Sequence, residues 1–267
     1  MWIQPAAGDS GGALGAALVG YHMFHRQPWV KFDGQDGMQG AYLGPSFKDD
    51  EILKSIEPSG LIYQKLNEDE LLQSAARALA DEKVIGWFQG RMEFGPRALG
   101  NRSILGDPRS AKTQSVMNLK IKFRESFRPF APSVLREDVN DYFELDCDSP
   151  YMLLVAPVQA NRRKQLNESE QQVVGVEQVN LVRSDIPAVT HVDYSARIQT
   201  VSAQQNPLYY RLIQAFKSMT GYGLVVNTSF NVRGEPIVCT PEDALRCFLK
   251  TEMDELYIGS YRVVKRG

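Results

Sequence analysis

Histidine and cysteine are both scarce, with three of each in 267 residues. Cys147, Cys239 and Cys247 are too few and too scattered for a disulfide framework or a zinc site. A reduced, cytoplasmic chain is the simpler reading. His22 and His25 lack any familiar metal-ligand spacing and read as surface or packing residues. No apolar run approaches membrane-spanning length, and residues 1–20 lack the basic start of a signal peptide. No membrane partner is expected. Apolar residues, by contrast, make up 43% of the chain, enough to fill the core of one large or two ordinary domains.

A net excess of either charge is also nearly absent overall, at a formal −2, but the charge is unevenly spread. Residues 91–128 hold nine Lys/Arg against Glu93, Asp107 and Glu125, so that segment is +6 and the rest of the chain −8. A nucleic-acid binder would normally spread its basic excess over a surface, which argues against a DNA partner. A local excess on an acidic chain suggests a pocket for something small and anionic. In FQGRMEFGPRALGNRSILGDPRS, residues 88–110, four arginines share a stretch rich in glycine. Arginine forks pair with phosphate oxygens and keep their charge, and glycines let the backbone approach a ligand. A solvated basic loop accounts for the charge alone equally well. The following KFRESFRPF interleaves Phe123, Phe127 and Phe130 with Lys122, Arg124 and Arg128, and aromatics beside arginines stack a base, whether adenine or RNA.

The pattern of elements is α/β. A turn at 4–10 enters a helix of small residues capped by Asp9 or Ser10. Residues 27–60, with little periodicity, read as a linker or docking strap. Asn67 caps a helix through Ala80, followed by a buried strand at 84–88. Ser110 caps a helix carrying Val116, Met117 and Lys120. Strands follow at 130–135 and 151–157, and 159–183 reads as a mobile polar insertion. Residues 189–201 alternate as a strand pair or a bent strand, 207–219 form an amphipathic helix, and 224–227 a short strand ending in NTSFN. Thr240, Pro241 and Asp243 start a helix to Lys250, and 255–258 is a last strand. Such alternation predicts a mixed, twisted sheet with flanking helices.

Two further groups bear chemistry. His191 in THVDYSARIQTV, with Asp193 and Arg197 close by, suits a general base or a nucleotide contact; a structural histidine suits it as well. Asn227, Ser229 and Asn231 follow a strand end, where ligand sites collect in open sheets, and they also suit a plain Asx turn.

GRMEFGPRALGNRSIL, KFRESFRPFAPSV, THVDYSARIQTV and NTSFNVRGEPIV, in this order, resemble the C-terminal half of the O-carbamoyltransferases that modify antibiotics and nodulation factors. The resemblance runs from Gln4 to about Gly259. It implies a YrdC-like domain over 61–267, the strap at 27–60, and at 1–26 a remnant of a preceding actin-like ATPase-type domain. It further implies binding of ATP, Mg²⁺ and carbamoyl phosphate, formation of carbamoyl-adenylate, and transfer to a hydroxylated small-molecule acceptor by the N-terminal half. By motif, Arg97, Lys122, Arg128, Met152, Arg197 and Ser229 are expected at the adenylate site, with Lys122, Arg128 and Arg197 in catalytic roles. Arg91, Arg102, Arg124, His191, Asp193, Asn227 and Asn231 are expected to bind substrate or nucleotide. Tyr194 stands where the family's segment has glycine. Asp9 matches a metal ligand of the preceding domain, whose Fe²⁺ or other divalent metal also needs two histidines from an H-x-x-x-H motif that this chain does not contain. The chain is then expected to be a C-terminal piece, a truncated reading frame or one half of a split enzyme. An RNA-binding module on the same fold, or an inactive remnant, are the alternatives.

Overall fold

The structure, a computed structural model, describes residues 3–29, 36–125 and 127–266. Residues 1, 2, 30–35, 126 and 267 of the expected segments lie outside the described residues. One mixed sheet of nine strands organises the chain. Across it lie β1 (Ile62–Lys65), β9 (Tyr261–Val264), β8 (Glu255–Ile258), β2 (Ile85–Phe88), β3 (Arg102–Gly106), β7 (Leu224–Ser229), β4 (Ala131–Leu135), β6 (Ser195–Val201) and β5 (Leu154–Pro157), in that order. Only β2/β8 and β4/β6 run parallel. The expected mixed α/β architecture is therefore observed.

Strand side chains alternate between the two faces, and each face has its own core. Leu105, Trp87, Val225 and Leu135 join one cluster, covered by α3 (Glu68–Ala80) and α7 (Pro207–Thr220). Ile104, Phe88, Val226 and Val134 join the other, covered by α2 (Asp49–Ile56) and α8 (Pro241–Lys250). Each Leu or Phe so buried contributes roughly 1.5–3 kcal/mol. Helix boundaries follow local chemistry. The Asn67 side chain accepts the Glu70 N–H while Glu70 accepts the Asn67 N–H, a reciprocal cap for α3. Thr240 and Asp243 do the same for α8. Gly221, at φ 81°, closes α7.

Several local expectations are corrected. The basic stretch 88–110 is not one loop, because Arg102 to Gly106 pair as β3 between β2 and β7. The polar run before residue 60 contains α2, whose Ile52 and Ile56 are buried. Ser110 does not cap α4 (Thr113–Val116); its hydroxyl donates to Glu82 instead. Gly8, not Asp9 or Ser10, precedes α1 (Asp9–Val19), and none of the residues of α1 is buried. Two more single-turn helices, α5 (Val139–Tyr142) and α6 (Glu168–Gln171), complete the α-helices among the described residues. Residues 189–201 supply a single strand, β6, after a tight turn.

Residues 36–45 are stitched onto the segment before β3. The Gly44 N–H donates to Met92 C=O (2.9 Å), the Met92 N–H to Pro45 C=O (2.9 Å), and the Phe94 N–H to Ala41 C=O (2.6 Å). Ala41, Leu99, Ala131, Tyr151 and Met152 form a small core under this strap.

Candidate functional site

A polar cavity of about 130 Å³ opens at the C-terminal end of β7. The turn before β3 delivers Arg97, the segment after α4 delivers Arg124, β6 delivers Arg197, and the loop before β5 delivers Met152. Asn227, Thr228 and Ser229 form the floor. Three arginines thus meet in one concavity, and among the described residues lining it there is no carboxylate. The Nε atoms of Arg97 and Arg197 are buried and have no hydrogen-bond partner among the described residues. Burial, and then the neighbouring Arg97, lower the Arg197 pKa to about 10. Buried like charges without a counter-ion are unfavourable alone and favourable around an anion.

Lys122 lies directly behind the floor. Its ammonium donates to Ser229 C=O, to the Ser229 hydroxyl (3.2 Å), to Asn231 C=O (3.0 Å) and to Asn231 Oδ1 (2.8 Å). Burial, and then Arg124, pull its pKa down to about 7. Asn231 does not line the cavity but fixes this lysine, and its own amide donates to Glu235 C=O. Asn227 Nδ2 bridges Ala98 C=O (3.1 Å), Ser133 Oγ (2.9 Å) and Gln199 Oε1 (2.9 Å), tying β7 to the Arg97 turn. Arg124 Nε donates to Asn118 Oδ1 (2.7 Å) and its guanidinium lies over the Phe130 ring.

Met152 and Tyr194 both sit at positive φ, 55° and 63°. Left-handed backbone in side chains this large carries strain and clusters at functional sites. At Tyr194, before β6, the conformation is one that glycine adopts freely and a large side chain rarely does.

Other expected positions lie elsewhere. Arg102 is fully buried in β3, over the Phe88 ring, and its fork donates to the carbonyls of Gln89 (2.7 Å), Asn101 (3.1 Å) and Pro45 (3.2 Å). Arg91 is exposed and donates to Leu43 and Gly44 C=O, holding the strap. Arg128 is exposed and pairs with Glu125 at 3.4 Å. None of the three lines the cavity. His191 and Asp193 line a larger neighbouring cavity of about 630 Å³, together with Phe127 and Arg183. The two cavities share Pro129. His191 Nδ1 lies 3.1 Å from Ser195 Oγ, which donates to Asp193 (2.7 Å). Burial lowers the His191 pKa, and Arg197 adds to that. Asp9 is exposed at the start of α1, and among the described residues no group of three or more His, Cys, Asp or Glu is placed to hold a metal ion.

Sequence reasoning missed Thr228 and Glu93. Thr228 was in plain view inside NTSFN. Glu93 was one of the few carboxylates among the arginines, and only the fold shows that its oxygen gathers the N–H groups of Leu99 (2.7 Å), Asn101 (2.8 Å) and Arg102 (3.3 Å).

The carbamoyltransferase C-terminus family matches residues 76–265, which include every residue lining the cavity. The chain belongs to this family. It is 56% identical to an uncharacterized protein, sll1178, of Synechocystis sp., over 99% of this chain and 43% of that one. It is 43% identical to the nodulation protein NolNO of Sinorhizobium fredii, over 100% of this chain and 36% of that one. With the 3'-hydroxymethylcephem-O-carbamoyltransferase of Amycolatopsis lactamdurans it shares 34% identity, over 97% and 43%. The chain therefore spans less than half the length of these relatives and corresponds to their C-terminal part. The crystal structure of full-length HypF in its phosphate- and nucleotide-bound form superposes with a TM-score of 0.44 at 17% identity, over 72% of this chain and 21% of that one.

Proposed function

We propose that this chain is the adenylate-forming part of an O-carbamoyltransferase, binding ATP and carbamoyl phosphate in the arginine cavity. The observation that carries this reading is the pair Arg97 and Arg197, whose buried Nε atoms have no partner, and whose cavity has no carboxylate, among the described residues. Three arginine forks and the Thr228 hydroxyl are donors that suit phosphate oxygens, and the adjoining cavity beside Phe127, His191 and Asp193 has room for the nucleoside. Atoms balance if water first releases orthophosphate from carbamoyl phosphate. A carbamate oxygen then attacks the α-phosphorus of ATP and pyrophosphate leaves. Both leaving groups are anions, and fixed cations stabilise them without a covalent nucleophile. Among the described residues lining it, the cavity offers Mg²⁺ no carboxylate.

Transfer to an acceptor hydroxyl is assigned, in this reading, to the part of the relatives outside this chain, which would also hold the divalent metal. Residues 1–26 belong with that part and 61–267 form the adenylating body, docked through the 27–60 strap. The exposed Leu18, Val19, Tyr21, Met23, Phe24 and Trp29 give such a partner an apolar surface to cover. No helix among the described residues is long and apolar enough to cross a membrane, and the reading takes the chain to be cytoplasmic.

Calorimetry with ATP, carbamoyl phosphate and both together tests the proposal, alongside pyrophosphate release. Saturable binding and pyrophosphate without carbamoylated acceptor is the expected result; absence of ATP binding overturns it. Exposed Phe123 and Phe127 beside Arg124 and Arg128 favour RNA as the second reading. That binding would weaken steeply with salt.

A further inference from the structure

We propose that Glu93 is a positioning residue that holds the Arg97 turn in its anion-binding shape, by gathering three backbone N–H groups onto one buried carboxylate oxygen. The proposal rests on the anion reading of the cavity. Glu93 is 5% exposed, and its Oε1 accepts from Leu99 (2.7 Å), Asn101 (2.8 Å) and Arg102 (3.3 Å). Neighbouring N–H groups that converge on one point form an anion-attracting nest. Here the chain fills the nest itself, so a ligand anion is left to the arginine forks.

The same turn is fixed from its carbonyl side. Tyr42 Oη (2.9 Å) and Gln199 Nε2 (2.8 Å) both donate to Leu99 C=O, and Asn227 donates to Ala98 C=O. The Leu99, Asn101 and Arg102 N–H groups and the Ala98 and Leu99 carbonyls are thus all engaged, and Arg97 immediately precedes this anchored segment. Glu93 is two residues from Gly95 and four from Arg97, yet makes no bond to Arg97 itself. Its action is through the backbone. Burial raises its pKa against the opposing pull of the Asn101 and Leu99 N–H groups, so the carboxyl stays where its charge is disfavoured for the sake of the turn.

If reach matters and charge does not, Glu93→Gln keeps the oxygen in place and Glu93→Asp withdraws it. Binding of inorganic tripolyphosphate and of ATP to the full chain is measured by calorimetry for wild type, both variants, Arg97→Ala and the Glu93→Asp/Arg97→Ala double variant. Glu93→Asp is expected to weaken both polyanions about tenfold, as loss of a charge-assisted hydrogen bond does, and Glu93→Gln by much less. In the Arg97→Ala background Glu93→Asp is expected to add almost nothing, since interacting sites are non-additive. Thermal unfolding of each variant checks that the fold survives. Additive losses, the reverse order of Gln and Asp, or wild-type affinity in Glu93→Asp overturn the positioning role while leaving the anion site standing. A wild-type chain that binds neither polyanion overturns the anion site, and the role of Glu93 with it.

Discussion

The Arg97 guanidinium depresses that of Arg197: burial and this neighbour together bring the Arg197 pKa to about 10. Two cations held together, with no carboxylate among the described residues lining their cavity, strain the ligand-free chain. Replacing Arg197 by Met should therefore stabilise the ligand-free chain by about 1 kcal/mol or more, since like charges about 4 Å apart repel by about 1 kcal/mol in water and about 4 kcal/mol near a protein surface. The same change should weaken ATP binding roughly tenfold to hundredfold. Urea unfolding and calorimetry read the two effects separately. A variant that loses stability and keeps ATP affinity would show that Arg197 is a structural residue.

Much of this cavity was legible in the sequence because it is assembled from short, local motifs, which the family resemblance singled out. GPRALG supplied Arg97, the DYSAR segment Arg197, and NTSFN the floor of Asn227 and Ser229. Caps at Asn67 and Thr240 were equally local, since each depends on residues three apart. What remained hidden depends on pairing between distant segments. Arg102 looks like its neighbours in sequence, and only the antiparallel pairing of Phe88 with Arg102 turns it inward onto carbonyls. Residues 27–60 read as a linker or strap, but where they attach could not be read, because their hydrogen bonds reach residues about fifty positions away, such as Met92. Arg128 fails to join the cavity for a plain reason: Glu125, one turn back, offers it a partner.

Gly100 marks where the Arg97 turn admits no side chain. Its φ is 109°, and a Cβ there would lie 2.2 Å from the ring of the fully buried Tyr209. Both the backbone and the space forbid alanine. Gly100→Ala should lower stability by about 3 kcal/mol or more, and because α7 carries Tyr209, the loss should appear as global unfolding at lower denaturant. Unchanged stability in urea would mean that the turn and α7 are not packed together as described.

Lys122 gives the cavity a pH dependence of definite sign. Its folded pKa is about 7, pulled down first by burial and then by Arg124, whereas an unfolded lysine titrates near 10.4. Between these values the unfolded chain holds a proton that the folded chain has shed. Folding then releases a proton, so stability should rise with pH above 7, by at most about 1.4 kcal/mol per unit from this group. Below 7 both states are protonated and the contribution is flat. In Lys122→Met the rise should be reduced by that amount, and the difference between the two stability curves isolates the lysine from every other titrating group. Anion binding works in the opposite direction, because a polyanion beyond Ser229 favours the ammonium form. At pH 8 tripolyphosphate binding should therefore draw up a fraction of a proton in the wild type and less in Lys122→Met. Calorimetry in buffers of different ionisation enthalpy counts those protons. Equal uptake in the two chains would remove Lys122 from the electrostatics of the site.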